Sequence, residues 1–532
     1  MTLLAPGPRE SQTTELRLPV GRRAARILLL AAVFVCAACG LVYELALITL
    51  GQYLVGGSVS QTSLVLGVFV CSMGLGSFAS KPLLPRAAAG FAAVELALAL
   101  VGGLSVLSLY AAYSWLDLYT PALIVTSVLV GGRIGAEIPL LMALLQQIRQ
   151  QDAGEAAADL FAVDYVGALA GGLAFPFLLL PVFGQVRGAI VVAAVNLMAA
   201  VGIVWLLRHA LSPRARRAVA AGVVAVAVCL GLAAALSGQF LVNARQALYD
   251  DPVVFSQRSA YQEIVLTETL PARGGPPDVR LFLDGDLQFS STDEHRYHEA
   301  LVHPALVPGA RSVLVLGGGD GLAAREVLRH RSVQRVVEVE LDPAVLQLAR
   351  TDPRMVRANG GSLEDPRVEV VVADAMTWLR TASETFDAVV VDMPDPDAPA
   401  TAKLYSQEFY GLAARALTPG GRLVVQAGSP YFAPEAFWCI ATTVASVGLQ
   451  TTPYHVDVPS FGDWGFVLAA RGAAPVPTVD PAVAPELRFL DGDVLAAATV
   501  FPKDRSRDAS VQVSTLDRPR ILEYEARGWR GY

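Results

Sequence analysis

Two patterns of hydrophobic positions divide the chain near residue 240. Before it, apolar residues run on in long stretches with few charges; after it they shrink to short blocks that alternate with polar positions. A helix crossing a bilayer needs roughly 20 apolar residues, and seven stretches meet that length: 26–50, 61–80, 89–112, 121–146, 161–183, 188–207 and 217–237. The run after Arg26 is too long for a cleaved signal peptide and further spans follow it. Gly67, Gly74, Gly76, Gly131, Gly135, Gly167 and Gly171 offer small-xxx-small contacts between helices. Residues 1–21 are polar and contain prolines, which predicts a disordered tail, and 22–240 then reads as a multi-span transmembrane domain of about seven helices.

The second pattern predicts a different architecture. SAYQEIVLTET and VRLFLDGDLQF alternate apolar and polar residues around turn residues Pro271 to Pro277, which predicts a small antiparallel β subdomain over 241–300. Asp293 to Leu306 reads as a polar and aromatic helix. Val313 to Leu316 is an apolar run suited to a buried parallel strand. Gly317, Gly318, Gly319 and Gly321 then form a turn where backbone can approach a ligand. A helix from Leu322 to His330 and a strand from Val336 to Val339 complete a βαβ unit. The expected fold over 301–472 is an α/β Rossmann-like, methyltransferase-type nucleotide fold of six or seven strands. Asp320, Glu340, Asp374 and Asp392 all follow strands, so they share the carboxyl edge of one sheet, where such sheets bind ligands. Residues 473–532 form an appendage to which no chemistry is assigned.

Composition changes this picture only a little. A hydrophobic fraction of 54% against 17% charged residues fits a chain that is half membrane domain. The net charge of -7 and the lack of a basic cluster exclude nucleic acid as an expected partner and suit cationic ligands. Cys36 and Cys39 have CxxC spacing inside an apolar span, without a second pair, and read as packing residues. Histidines do not cluster with cysteines or acids at ligand spacing, so no metal is expected. Glu44, Glu95, Arg133, Glu137 and Asp164 lie within the spans. Arg133 and Glu137, four apart, could pair; the sharper reading is a path or sensor site for polycations.

The acid inside the glycine turn is the informative residue. A phosphate-binding loop gathers amides to attract anions, and a methyltransferase would bring its cofactor's carboxylate close to Asp320. The turn instead suits a ligand with a nucleoside at one end and a cation at the other, such as decarboxylated S-adenosylmethionine. At this point Gly317 to Gly321, GGGDG, resembles the loop of the spermidine synthase (polyamine aminopropyltransferase) family. The resemblance spans roughly 250–472 and extends to the YHE run at Tyr297 and to the acids Asp392 and Asp395. DMPDPDAPATAKLYSQEFY is similar to the membrane-fused branch, with Met393-Pro394 where soluble members carry small hydroxyl residues. Phenylalanine or a shortened loop near Phe461 replaces a family tyrosine, which bears on the acceptor.

The resemblance implies an enzyme that transfers an aminopropyl group to an amine, putrescine giving spermidine, with decarboxylated S-adenosylmethionine as co-substrate and no resident cofactor. An alkyl ammonium has a pKa of about 10, so a carboxylate must take a proton before the nitrogen can attack. By family position Asp392 is the base, Tyr297 orients it, and Asp395 binds the amine. His298 lies beside the reacting amine, Asp320 holds the aminopropyl ammonium, and Gln262 binds the donor. Glu340 takes the ribose, Asp374 and Ala375 meet adenine, Pro399 lies near the nucleoside, and Trp464 walls the acceptor. Soluble members oligomerise, which implies a homo-oligomer. The competing class is a membrane transporter or sensor whose C-terminal domain binds polyamine without turnover.

Sidedness sets two arguments against each other. Lys81, Arg86, Arg149 and the group Arg208, Arg214, Arg216 and Arg217 join the N-terminal tail on one side, which the positive-inside rule makes cytoplasmic. Seven spans would then leave the catalytic domain outside, yet the donor is made inside the cell. The expectation is a multi-pass cell-membrane protein with its catalytic domain facing the cytoplasm.

Overall fold

The computed structural model describes residues 19–531 apart from 56–58, 150–152 and 270–275. Nearly all of the expected tail and most of the Pro271–Pro277 turn lie outside the described residues. The chain forms two compact units, Met1–Leu248 and Tyr249–Tyr532.

The first unit is helical: α1 (Arg22–Val55), α2 (Val59–Ala79), α3 (Ala87–Ala111), α4 (Tyr119–Arg149), α5 (Ala153–Ala174), α6 (Leu180–Leu206) and α7 (Pro213–Gln246). Six helical segments among the described residues are long and apolar enough to cross a membrane, and the fifth, Ala157–Leu206, is 50 residues long. That segment is two antiparallel runs. Gly184, at φ 69° and ψ -178°, breaks the helix. Upstream of it, Gly167 and Gly171 lie on the backbone of Phe34 and Ala38, so α5 runs parallel to α1. Downstream, the Cys39 thiol meets the Val192 carbonyl, and a groove joins Leu28 to Leu206, so α6 runs back along the same helix. Among the described residues, α1–α7 therefore run through the seven expected stretches, two of them within one of the six long apolar segments.

Close crossings explain several of the glycines. A Cβ at Gly76, Gly135, Gly167 or Gly171 would enter the backbone of a neighbouring helix, and Gly131 sits against Phe69. Gly67 and Gly74, expected to do the same, face open space. The expected Arg133–Glu137 pair does not form either. Arg133 donates to the Leu129 carbonyl, while Glu137 turns into the buried interior.

The second unit opens with an antiparallel sheet of four strands: β1 (Val253–Arg258), β2 (Glu263–Glu268), β3 (Val279–Leu283) and β4 (Asp286–Ser290). VRLFLDGDLQF is two of those strands rather than one. Asp284 (φ 50°) and Gly285 (φ 99°) make a tight turn between β3 and β4, which the Asp-Gly pair favours. Then come α8 (Glu294–Val302), β5 (Ser312–Gly317), α9 (Leu322–Leu328), β6 (Arg335–Glu340), α10 (Pro343–Thr351), α11 (Pro353–Asn359) and β7 (Val368–Val372). The second half adds α12 (Ala375–Thr381), β8 (Phe386–Asp392), α13 (Pro399–Ala402), α14 (Gln407–Arg415) and β9 (Leu417–Gln426). It closes with α15 (Pro434–Ala445), β10 (Gln450–Val458), β11 (Gly462–Ala470), α16 (Gly492–Ala498) and α17 (Arg520–Gly528).

The main sheet has seven strands in the order β10-β11-β9-β8-β5-β6-β7. Strands β9, β8, β5, β6 and β7 are parallel, and β11 and β10 add an antiparallel edge. Alternate residues feed opposite faces, as the pleat requires. Leu314, Leu316, Val389 and Val391 join one core, and Val313, Val315, Ala388 and Val390 join the other. Burial on both faces explains why these strands read as continuous apolar runs. The order reverses between β5 and β8, and open α/β sheets bind ligands outside the carboxyl ends at such a point.

Candidate active site

The glycine turn at the end of β5 is shaped by what lies against it. Gly317, Gly318 and Gly321 have φ of 82°, 70° and 80°, where a side chain is strained. Gly317 pairs with Asp392 across β5 and β8, and a Cβ there would run into the Asp392 carbonyl. The Gly318 amide donates to that same carbonyl at 3.1 Å. A Cβ on Gly319 would lie 2.6 Å from the Glu340 side chain. Asn359 holds the Asp320 carbonyl at 2.8 Å and Ser362 the Gly321 carbonyl at 2.6 Å. The Asp320 carboxylate accepts from the Leu322 amide at 2.9 Å.

Two charge arrangements converge here. Tyr297 donates to Asp392 Oδ1 at 2.6 Å, and Asp392 Oδ2 faces Gly318, where a Cβ would sit 3.3 Å away. His298, beside Tyr297 on α8, places Nδ1 2.8 Å from the Glu294 carbonyl and 3.1 Å from its carboxylate. Burial alone would lower the His298 pKa, but the bond and charge of Glu294, then Asp320 and Asp392, push it up to about 9. It is therefore cationic at neutral pH between two acids. Burial pushes Asp320 up to about 6, with the His298 charge opposing and Asp392 adding to the rise. Asp392 is raised by burial against the pull of His298 and Tyr297.

The remaining predicted residues fall at two ends of this centre. At one end Glu340 accepts from the Asp342 amide at 2.8 Å, and burial pushes it up to about 7. Gln262 and Ser259 reach across from the small sheet to Asp342, at 3.1 and 2.6 Å. Asp374 caps α12 through the Thr377 amide at 2.8 Å and is paired to Lys403 at 2.6 Å. Although burial opposes it, Lys403 and the cap hold its carboxyl below the ordinary range. Ala375 is the buried first residue of α12. Pro399 starts α13 and is exposed.

At the other end, Asp395 accepts from Gln426 at 3.0 Å and is pushed up to about 6 by burial. Gln426 also binds the Met393 carbonyl and the Tyr405 hydroxyl, at 2.7 and 2.5 Å. Trp464 is buried against Phe461, with ring centroids 4.9 Å apart, and Phe461 lies 5.8 Å from Tyr297.

Several residues of this site escaped sequence reasoning. Arg325 grips both oxygens of Glu294 at 3.0 and 2.7 Å, fixing the carboxylate that charges His298. Glu338, fully buried on β6, has no hydrogen-bond partner on either oxygen among the described residues, and burial followed by Asp320 and Glu340 raises its pKa. Asp286 is pushed up to about 7 by burial, then by Asp397 and Asp395. Glu525, from α17, takes a 2.5 Å bond from the Trp529 indole and is pushed up to about 8 by burial and then Asp395. The terminal segment, read as without chemistry, thus brings an acid to this end of the site. Gln426 carried a usable signal, a polar residue closing an apolar strand beside the switch point.

A spermine/spermidine synthase domain matches residues 294–480. The chain is 57% identical over 511 residues to polyamine aminopropyltransferase 1 of Streptomyces coelicolor, covering 96% of each chain. It is 54% identical over 518 residues to the polyamine aminopropyltransferase of Mycobacterium tuberculosis, covering 95% of this chain and 97% of that one. Among solved structures, a spermidine synthase in complex with the transition state analogue AdoDATO shares 30% identity at a TM-score of 0.44, over 47% of this chain and 86% of that one.

Proposed function

The chain belongs to the spermine/spermidine synthase family and is an aminopropyltransferase; from that premise we propose how its residues divide the reaction and which amine they take. The donor is decarboxylated S-adenosylmethionine, bound as co-substrate without a resident cofactor. The acceptor is a diamine of putrescine type. A non-catalytic sensor or transporter domain is set aside by the family itself.

The donor's adenosine lies at the Glu340 end, with the ribose hydroxyls on Glu340 beside Gln262 and Asp342, and adenine near Asp374 and Ala375. Its aminopropyl chain passes the glycine turn, and its ammonium pairs with Asp320. The acceptor ammonium gives its proton to Asp392. The freed nitrogen attacks the methylene carbon next to the sulfonium, the C–S bond breaks, and its electron pair returns to sulfur as methylthioadenosine leaves. Sulfonium is already a good leaving group, so positioning supplies most of the rate. Tyr297 occupies Asp392 Oδ1, which leaves Oδ2, on the Gly318 side, to accept the proton. His298 opposes the repulsion between Asp320 and Asp392, and Asp395 holds the acceptor's second ammonium.

The observation that carries this reading is the Tyr297–Asp392 bond with the second carboxylate oxygen turned to the glycine turn. The test is release of methylthioadenosine by purified full-length protein with a panel of diamines. Amine-dependent release that falls by about 10²–10⁴ in Asp392→Asn supports it; an Asp392→Asn protein as active as the native one overturns it.

The helical unit is proposed to sit in the cell membrane, on the strength of its apolar segments. The alternation of seven helices leaves the start of α1 and the end of α7 at opposite ends of that unit. With the catalytic unit on the cytoplasmic side, where the donor is made, the N-terminus lies outside, against the charge rule. A green fluorescent protein fused to the C-terminus should fluoresce; a dark fusion beside an active periplasmic reporter reverses the assignment.

A further inference from the structure

The helical unit buries a mixed cluster of donor atoms that the transfer reaction does not use. Cys36 on α1, Glu95 on α3 and Glu137 on α4 each offer one ligand atom, and the three atoms lie within 4.8 Å of one another. All three side chains are buried, at 1%, 0% and 4% exposure. Three helices therefore aim a thiol and two carboxyls at one point.

The surroundings point to a ligand at that point. Cys36 Sγ lies 3.5 Å from Glu95 Oε1. Ligands on a tetrahedral zinc-like ion, at about 2.3 Å for sulfur and about 2.0 Å for carboxylate oxygen, stand about 3.5 Å apart. The other oxygen of Glu95 is held by the Asn196 amide of α6 at 2.8 Å, the kind of outer bond that fixes a ligating carboxylate. Among the described residues, the buried Glu137 Oε1 has no hydrogen-bond partner. An uncompensated oxygen in an apolar interior is costly, and a cation would satisfy it.

We propose that Cys36, Glu95 and Glu137 form a binding site for a divalent transition-metal ion of the zinc class, with Asn196 orienting Glu95. Binding would release the ligands' protons and tie α1, α3 and α4 together at one buried point. The alternative occupant is a proton shared between the neighbouring Glu95 and Glu137 carboxyls.

The test uses the full-length protein in detergent, stripped with chelator and then given Zn²⁺ or Co²⁺. Elemental analysis should find one zinc per chain after washing, and Co²⁺ should give a thiolate-to-metal absorption band in the near ultraviolet. Zinc retention should be lost in Cys36→Ser and Glu137→Gln, and kept in Glu44→Gln, which alters an acid outside the cluster. Native protein that holds no zinc and shows no cobalt–thiolate band overturns the site in favour of the shared proton, whether or not the variants fold. Zinc retained equally by Cys36→Ser and Glu137→Gln overturns it too, because the ion would then lie elsewhere.

Discussion

The proposed donor end and the proposed acceptor end of the active site are built by opposite means. The donor end is one contiguous βαβ passage, from Gly317 to Asp342, whose shape comes from backbone: positive φ angles, amides and strand pairing. The acceptor end is assembled from side chains on separate segments, namely Asp286 after the β3–β4 turn, Asp395 and Asp397 after β8, Gln426 on β9, and Glu525 on α17. A site made of backbone is rigid and intolerant of an added methyl group. A site made of converging side chains can be altered one contact at a time.

The largest expected effect tests that intolerance. Gly317→Ala must place a Cβ against the Asp392 carbonyl at a φ of 82°. We expect the variant to lose more than about 100-fold in kcat/KM, in line with a strain of several kcal/mol; an active, well-folded Gly317→Ala protein would break the comparison. Next comes Asp320→Asn, which removes the charge proposed to hold the donor ammonium. Its donor KM should rise about 10- to 100-fold, the worth of a charge-assisted bond, with acceptor KM unchanged.

The same substitution has a stability signature of opposite sign. A buried acid whose pKa is raised from its ordinary value to about 6 costs the ligand-free fold nothing below that ordinary range. The penalty grows as pH rises through 6, because the fold disfavours the ionised form. At pH 8, Asp320→Asn should therefore melt about 2–4 °C higher than the native protein without ligand. A lower melting temperature would mean that Asp320 stabilises the loop rather than serving the ligand.

The pH profile sharpens both ends together. In their proposed roles Asp320 and Asp395, both near 6, must be ionised to hold ammonium groups, and Glu340 near 7 titrates in the same window. Activity should fall as pH drops through about 7 to 6, and Asp395→Asn should remove part of that dependence from acceptor KM alone. The smallest effect belongs to Glu525→Gln. Loss of a peripheral acid should raise acceptor KM a few-fold and leave donor KM in place, as steady-state kinetics with each substrate varied would show.

This contrast also explains how much was legible in the sequence. The donor end was readable because its residues are neighbours in the chain: a glycine turn bracketed by two apolar strands leaves little choice about where Asp320 and Glu340 fall. Tyr297 and Asp392, 95 positions apart, were placed together only through family resemblance. Glu525 was missed because nothing in RILEYEARGW says which surface an amphipathic terminal helix will cover. Gln262 was named for the donor, but its bond to Asp342 depends on the docking of the small sheet, which no local pattern encodes. In the helical unit, a spacing of four suggested that Arg133 and Glu137 would pair. Tertiary packing sent them apart, one to a carbonyl of its own helix and the other inward.

The hydrogen bond from the Gly318 amide to the Asp392 carbonyl has an evolutionary consequence. It ties the segment proposed to cradle the donor to the segment proposed to carry the base, so neither can shift without the other. In the proposed roles, substitutions in the loops and the terminal helix around Asp395 can change which amine is taken, while the glycine turn and the base segment can change only together.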